Sequence, residues 1–517
     1  MESSNYQYNL ALSFYKVVKD NSDRAALSYP DGNRISYSEL NELSNRLARF
    51  LIGNGIGKNS VVAIFNEKSL HAYALILACL KVGAIYTNLD VTSPWIRLEK
   101  ILDTCAPAMV CFDSLNDELA TSVQKWNNEI LSFNLNTEDF KSMLYQHDLG
   151  NCENVNTITG SHPAYIMFTS GSTGFPKGAV MSHQNLLNFI KWGKQTFDVT
   201  SDDVFTNANP IYFDNSVFDF YVSIFNGATL VPLSHDLVKQ PKLLVDAINK
   251  SGCTIWFSVP SLLVYLLTTK SLNTDDFKTI TKISFGGEGF PKNKLKQLYL
   301  MFGNRVQLFN VYGPTECTCI CSAHIISDAD FENMNELATL GFISPNFGYE
   351  ILPIDNSNLN LGELCLTGPC VGMGYYNDLE RTSKAFVQNT NVGYLQNMYK
   401  TGDIVEKAEN GYLYFRGRVD NQIKHMGYRI ELEEIEAAFS SLLYVDEVGV
   451  IYQKLSAELG QIVAFISVNN LEKDATIILN DIKQIVPPYM VPRIVKILPI
   501  LPKNQNGKID RKQLNEL

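Results

Sequence analysis

Residues 165–182 read YIMFTSGSTGFPKGAVMS. A short apolar run enters Thr169-Ser170-Gly171-Ser172-Thr173-Gly174-Phe175-Pro176-Lys177-Gly178, and a second apolar run, 179–181, leaves it. That pattern predicts strand, anion-holding loop, strand. Three glycines let the backbone approach an anion closely, while the hydroxyls of Thr169, Ser170, Ser172 and Thr173 and the Lys177 ammonium supply donors. The expected ligand is a nucleotide triphosphate. The loop is not a Walker A motif, which needs Gly directly before Lys and Ser or Thr after it, whereas Lys177 stands between Pro176 and Gly178. The plainer alternative is a Ser/Gly linker, but such linkers are rarely flanked by apolar strand-like runs on both sides.

Outward from the loop, 517 residues with 45% hydrophobic and 19% charged side chains describe a globular chain too long for one ordinary core. A net charge of -11 without a long basic run argues against nucleic acid as a partner, so an anionic nucleotide must be met by locally concentrated cations. The N-terminus lacks a basic region followed by an apolar core, and the most apolar stretch, 72–86, contains Lys81 and is too short for a bilayer. A cytoplasmic protein without membrane insertion is expected. The ten cysteines are scattered and read as reduced thiols. Cys317, Cys319 and Cys321, with His324 beyond, alternate as on one strand face rather than with the paired spacing of zinc sites, so packing or pocket lining is expected.

The remaining pattern is layered α/β. Residues 37–50 have helical spacing, with polar residues beside Ser36 where a cap would sit. Strand–helix alternations follow at 61–65 with 70–82 and at 85–89 with 94–104. Helical patterning resumes at 184–197 and 260–267, with strand candidates at 255–259 and 283–285, and a further helix is expected over 430–439. Within NANPIYFDNSVF, 207–218, Asp214 sits among apolar neighbours, where a carboxylate is costly unless paired. It suits a helix N-cap equally well.

Taken with the loop, NVYGPTE at 310–316, YKTGD at 399–403, GYLYFRGRVDNQIKHMGYR at 411–429 and PKNQNGKIDR at 502–511 resemble the adenylate-forming, AMP-binding superfamily over essentially the whole chain. The resemblance implies a large, multi-layered α/β N-terminal domain, 1–417, and a small mobile α+β C-terminal domain, 418–517, with the hinge near Asp420. It implies ATP and Mg²⁺ as cofactors. For the nucleotide it implies the loop residues with Gly287, Glu288, Asn310, Tyr312 and Gly313. Thr315 would meet phosphate, Glu316 the Mg²⁺, Asp403 the ribose, and Arg418 the ribose and phosphate. Lys508 would stabilise charge in adenylate formation, and Lys424 and Gly427 would serve the thiol-transfer surface.

Within the superfamily, NFIKW at 188–192, FDNSVFDFY at 213–221 and GRVDNQIKHMGYRIELEEIE at 417–436 are most similar to stand-alone D-alanine:carrier-protein ligases and peptide-synthetase adenylation domains. The implied reaction forms an aminoacyl-adenylate and passes the acyl group to the phosphopantetheine thiol of a carrier. The sequence ends soon after the last motif, so that carrier is expected to be a separate protein. In such enzymes the Asp of FDxS binds the α-ammonium, which assigns Asp214. The side-chain pocket would draw on Asn215, Phe218, Ser258, Ser284, Gly286, Val311, Cys319 and Ile320. The D-alanine group has an apolar residue at 215 and Cys at 286, so Gly286 is expected to leave room for an uncharged side chain larger than methyl. The alternatives are an acyl-CoA synthetase, which needs no ammonium partner, and a catalytically silent nucleotide binder.

Overall fold

A computed structural model describes residues 7–114, 116–171, 174–355, 357–455, 460–469, 474–504 and 509–517. The chain forms two compact units. The first comprises Met1–Val91, Cys105–Met167 and Gly178–Gly417, and the second Thr92–Thr104, Phe168–Lys177 and Arg418–Leu517.

The first unit is built on sheets whose central strands are parallel. One has eight strands in the order Ser322–Ile325, Gln307–Tyr312, Lys282–Gly286, Ile255–Ser258, Val204–Asn207, Thr229–Pro232, Ala25–Ser28, Arg34–Ser36. Its inner strands run parallel and its two edge strands antiparallel. Strands covered on both faces become near-continuous apolar runs, as in IWFS and KISFG, which reads as a buried core rather than alternation. A seven-stranded sheet carries Val61–Phe65 between Ile85–Leu89 and Met109–Phe112, with Pro163–Thr169 beyond Ile85–Leu89. A five-stranded antiparallel sheet of 348–418 follows.

The expected alternations are present. Tyr37–Gly53 is a helix capped by a reciprocal box, Glu39 N–H donating to Ser36 Oγ and Ser36 N–H to Glu39 Oε2 (2.7 Å). Leu70–Val82 is helical and ends at Gly83, whose φ of 75° is the left-handed cap that glycine adopts without strain. Lys81, the charge inside this apolar run, is buried and donates to the side-chain carbonyls of Asn41 (2.8 Å) and Asn45 (2.7 Å). Among the described residues no helix is long and apolar enough to cross a membrane.

Two local expectations are corrected. Residues 317–321 are not a strand: Thr315–Cys317 is a single tight helical turn, and Thr318 (φ 58°) and Cys319 (φ 72°) are left-handed, so the strand starts only at Ser322. The helix expected from 430 begins at Leu432, because Ile430 and Glu431 complete the strand Tyr428–Glu431 paired with Gln422–His425. In the second unit that hairpin precedes a three-stranded sheet, Val445–Lys454, Gly460–Val468 and Ile494–Ile497.

Candidate functional site

In the first unit, the candidate residues gather where parallel strands end, the place where open α/β sheets leave a crevice. Register aligns Ser258 with Phe285 and Phe285 with Asn310, and Ser284 with Phe309 and Gly286 with Val311. Since side chains alternate along a strand, Ser284, Gly286 and Val311 share one face and Ser258 lies on the other. The Ser258 hydroxyl is accordingly engaged by Trp256 Nε1 (2.8 Å) and donates to the Val259 carbonyl (3.0 Å). The structure therefore does not bring Ser258 to the face of the other pocket candidates.

On that face Phe218 is wholly buried among the rings of Phe189, Phe197, Phe205 and Phe257, with centroids 4.9–6.5 Å away. Val311, Cys319 and Ile320 are buried as well. Ser284 Oγ is buried without a hydrogen-bond partner among the described residues. The room expected beside Gly286 is not there. A Cβ at 286 would collide with the Val311 carbonyl oxygen and lie 2.7 Å from its Cγ2, because the paired strands approach too closely. Asn215 stands across from the next residue, its Nδ2 3.8 Å from where a Gly287 Cβ would be, and Gly287 itself holds φ 94°.

Asp214 precedes the short helical turn Asn215–Val217 but does not cap it. Its carboxylate instead accepts a hydrogen bond from Thr315 Oγ1 at 2.6 Å. Burial pushes the Cys319 thiol and the Tyr165 phenol well above their ordinary ranges, and the Asp214 charge adds to both shifts. Thus Asp214, Thr315, Cys319 and Tyr165 share one locale. Glu316 is wholly buried and accepts from Tyr375 OH (2.8 Å). Tyr375 was not legible as a site residue, though it lies in the GMGYYN stretch. Close to the same turn, Gly313 is required: a Cβ there would meet the Cys319 backbone and lie 2.7 Å from Ile320 Cα.

Tyr312 OH donates to Asp403 Oδ2 (2.5 Å), and Asp403 N–H to Thr401 Oγ1 (3.0 Å). The strand ending at Tyr312 and the strand bearing Asp403 are thereby joined. Asn310 Nδ2 donates to the Thr339 carbonyl (2.8 Å). Glu288 Oε1 accepts from Ser261 N–H (2.8 Å) at the start of the helix Pro260–Thr268. Among the described residues no cluster of three or more His, Cys, Asp or Glu is arranged to hold a metal.

Around the glycine-rich loop, in the second unit, Ser170 Oγ donates to the Arg429 carbonyl (2.8 Å), Gly171 N–H to Glu434 Oε2 (3.0 Å), and Lys177 pairs with Glu431 (3.4 Å). Glu434 also pairs with Arg97, and both are buried. Lys100 donates to the Gly174 carbonyl (3.0 Å). Gly171 N–H and Lys177, donors expected for phosphate, thus face carboxylates at the start of the helix Leu432–Ser440. Ser172, Thr173 and Lys508 lie outside the described residues. Arg418 grips Asp420 through Nε (2.6 Å) and Nη2 (2.7 Å). Burial opposes ionisation of Asp420, but the Arg418 hydrogen bonds and charge outweigh it and hold the carboxyl below its usual range. Lys424 pairs in register with Arg429, and the hairpin turns through Met426 (φ 52°) and Gly427 (φ 81°).

The family model for an AMP-binding enzyme matches residues 14–376, and that for the AMP-binding enzyme C-terminal domain matches 434–508. The chain belongs to the AMP-binding enzyme family. It is 32% identical over 495 residues to D-alanine–D-alanyl carrier protein ligase of Listeria monocytogenes serotype 4a (strain HCC23), covering 94% of each chain. It is 31% identical over 507 residues to surfactin synthase subunit 3 of Bacillus subtilis (strain 168), covering 97% of this chain and 38% of that one. The crystal structure of the Vibrio cholerae adenylation domain AlmE, in complex with glycyl-adenosine-5′-phosphate, superposes with a TM-score of 0.82. Identity there is 23%, with 100% of this chain and 99% of that chain covered, and the likeness bears on the fold alone. As an AMP-binding enzyme, the chain has the α/β architecture of adenylation domains.

Proposed function

We propose that this AMP-binding enzyme uses ATP to convert an amino acid with a small uncharged side chain into its adenylate, then transfers the aminoacyl group to the phosphopantetheine thiol of a separate carrier protein. The observation that carries the reading is the 2.6 Å hydrogen bond from Thr315 to Asp214. It couples a carboxylate suited to an α-ammonium to a hydroxyl on the turn that bears Glu316. An amino acid held at Asp214 then has its own carboxylate beside the groups that would meet the α-phosphate. D-alanine is the substrate named for the ligase relatives.

In the first half-reaction a substrate carboxylate oxygen bonds to the α-phosphorus, and the bond to the bridging oxygen of pyrophosphate breaks. No side-chain nucleophile is needed; the protein positions the reactants and offers fixed dipoles to the developing charge. Asp403, with one oxygen receiving the Tyr312 hydroxyl, has a second suited to a ribose hydroxyl. Glu316, the buried carboxylate oriented by Tyr375, fits Mg²⁺, which is content with one or two carboxylates when phosphate oxygens and water complete its shell. The ion would neutralise phosphate charge. In the second half-reaction the carrier's sulfur bonds to the acyl carbon as AMP leaves with the mixed-anhydride oxygen.

The test is ATP–pyrophosphate exchange across panels of D and L amino acids and simple carboxylic acids. Exchange driven by a small neutral amino acid is expected. Exchange driven only by acids without an amino group, as in an acyl-CoA synthetase, would overturn the reading.

A further inference from the structure

Just beyond the Asp214 turn, the chain buries a charge that the proposed reaction does not use. Asp219 is completely inaccessible and lies on Phe218–Val222, a widened, π-type helical turn continuous with Asn215–Val217. Its Oδ2 accepts from Asn207 Nδ2 (2.9 Å) and Asn209 Nδ2 (3.0 Å). Its Oδ1 has no hydrogen-bond partner among the described residues. The compensating cation is Lys68, also buried, whose ammonium donates to the carbonyls of Asn207 (2.7 Å) and Leu233 (2.9 Å) rather than to a carboxylate. Asn207 is therefore the hub: its carbonyl receives Lys68, its amide donates to Asp219, and its Oδ1 accepts from Tyr73 OH (2.7 Å).

Each charge pays heavily for this location. Burial pushes Lys68 down and Asp219 up, and their mutual attraction offsets only part of it. Lys68 further adopts a left-handed backbone, φ 71°, held by its N–H donating to Asn66 Oδ1 (2.8 Å). Apolar residues of similar volume often replace such a pair at no loss of stability, so stability alone gives little reason for it. What the network does is geometric. Asn207 ends the strand Val204–Asn207, Leu233 follows the strand Thr229–Pro232, and Asn209 also donates to the carbonyl of Phe257 (3.0 Å) in a third strand. Three adjacent strand ends are thus tied to the turn that continues from Asp214 and Asn215.

We propose that Asp219, balanced by Lys68 through Asn207, is a positioning residue that fixes the Asp214–Phe218 turn against the strand ends so that the amino acid is held in register for activation. This rests on the function proposed above. Asn310, Tyr312 and Asp403 of the nucleotide set donate to or accept from Thr339, Thr401 and one another, residues outside this network. Loosening the network should therefore weaken amino-acid binding selectively.

The experiment is steady-state ATP–pyrophosphate exchange with the full-length enzyme and its best amino acid, varying amino acid and ATP separately. Asp219→Asn leaves the Lys68 charge alone and should raise the amino-acid KM about tenfold, with the ATP KM within about twofold, on the scale of coupling inside one hydrogen-bonded network. The double variant Lys68→Met/Asp219→Asn removes both charges and should recover most of the loss. Tyr73→Phe deletes a neutral hydrogen bond to Asn207 and should shift the amino-acid KM about threefold in the same direction, a measurement that stands even if Asp219→Asn does not fold. A merely structural role would lower the active fraction and kcat without separating the two KM values. Equal shifts in both KM values, losses that multiply in the double variant, or a wild-type KM in Tyr73→Phe would overturn the proposal. A wild-type enzyme without amino-acid-dependent exchange would overturn the function itself, and this inference with it.

Discussion

At Asp214 the sequence allows either a helix cap or a substrate contact, and the geometry removes the first: no capping bond forms, and Thr315 donates to the carboxylate instead. Asp214→Ala should cost about 3–5 kcal/mol in kcat/KM for the amino acid, the usual loss when one partner of a buried ion pair is removed. Exchange kinetics would read this directly, and an unchanged kcat/KM would reduce Asp214 to a structural role. Gly286 makes the opposite case, in which the difference from the D-alanine ligases suggested space that packing denies. Adding one methyl group as Gly286→Ala should destabilise the fold by about 1–3 kcal/mol, as overpacking does, because the Val311 backbone rather than a yielding side-chain tip is in the way. The denaturant midpoint would show it; an unchanged midpoint would mean that the strands part easily.

Elements were legible wherever periodicity was long. The helices Tyr37–Gly53 and Leu70–Val82 and the strands around them lie where the spacing puts them. Legibility failed where tertiary contacts decide the backbone. Thr318 and Cys319 hold left-handed conformations unfavourable to residues with a Cβ, with Thr318 Oγ1 anchored on the Cys370 carbonyl (2.8 Å), a partner no local pattern reveals. Lys68 and Asp219 likewise form part of one network only after three strands assemble. His183, the first residue of the helix His183–Thr196, is another such case: Leu10 N–H donates to its Nδ1 (3.1 Å), and its Nε2 is buried without a hydrogen-bond partner among the described residues. Burial, aided by the His162 charge, lowers its pKa from 6.5 to about 3. The unfolded chain therefore takes up this proton first as pH falls, and the fold loses up to about 1.4 kcal/mol per pH unit from pH 6.5 down to about 3. His183→Gln, which can accept from Leu10 but does not titrate, should lose stability less steeply over that window. Parallel acid-denaturation profiles would show that His183 protonates without cost in the folded state.

For the whole molecule the question is how a chain of net charge -11 receives a polyphosphate. Cations of the second unit, Arg97, Lys177 and Arg418, are matched to Glu434, Glu431 and Asp420, so little uncompensated charge remains on them to attract the nucleotide. An added cation is what Lys508 would contribute. Its flanks are tied down: Lys503 and Ile509 bridge, and Arg511 holds Glu436 (2.7 Å) and Glu433 (3.2 Å). Lys424 and Lys508 both belong to the C-terminal segment, one near its start and one near its end, and we infer that they serve different half-reactions by alternating about Asp420. Lys508→Ala should then slow adenylation by about 3–4 kcal/mol, comparable to losing one preorganised donor to the transition state. Thioester formation from a preformed aminoacyl-adenylate and the carrier should proceed near the wild-type rate. Measuring the two steps separately decides the matter: equal impairment of both would count against alternation, and unimpaired exchange would show that adenylation does not use Lys508.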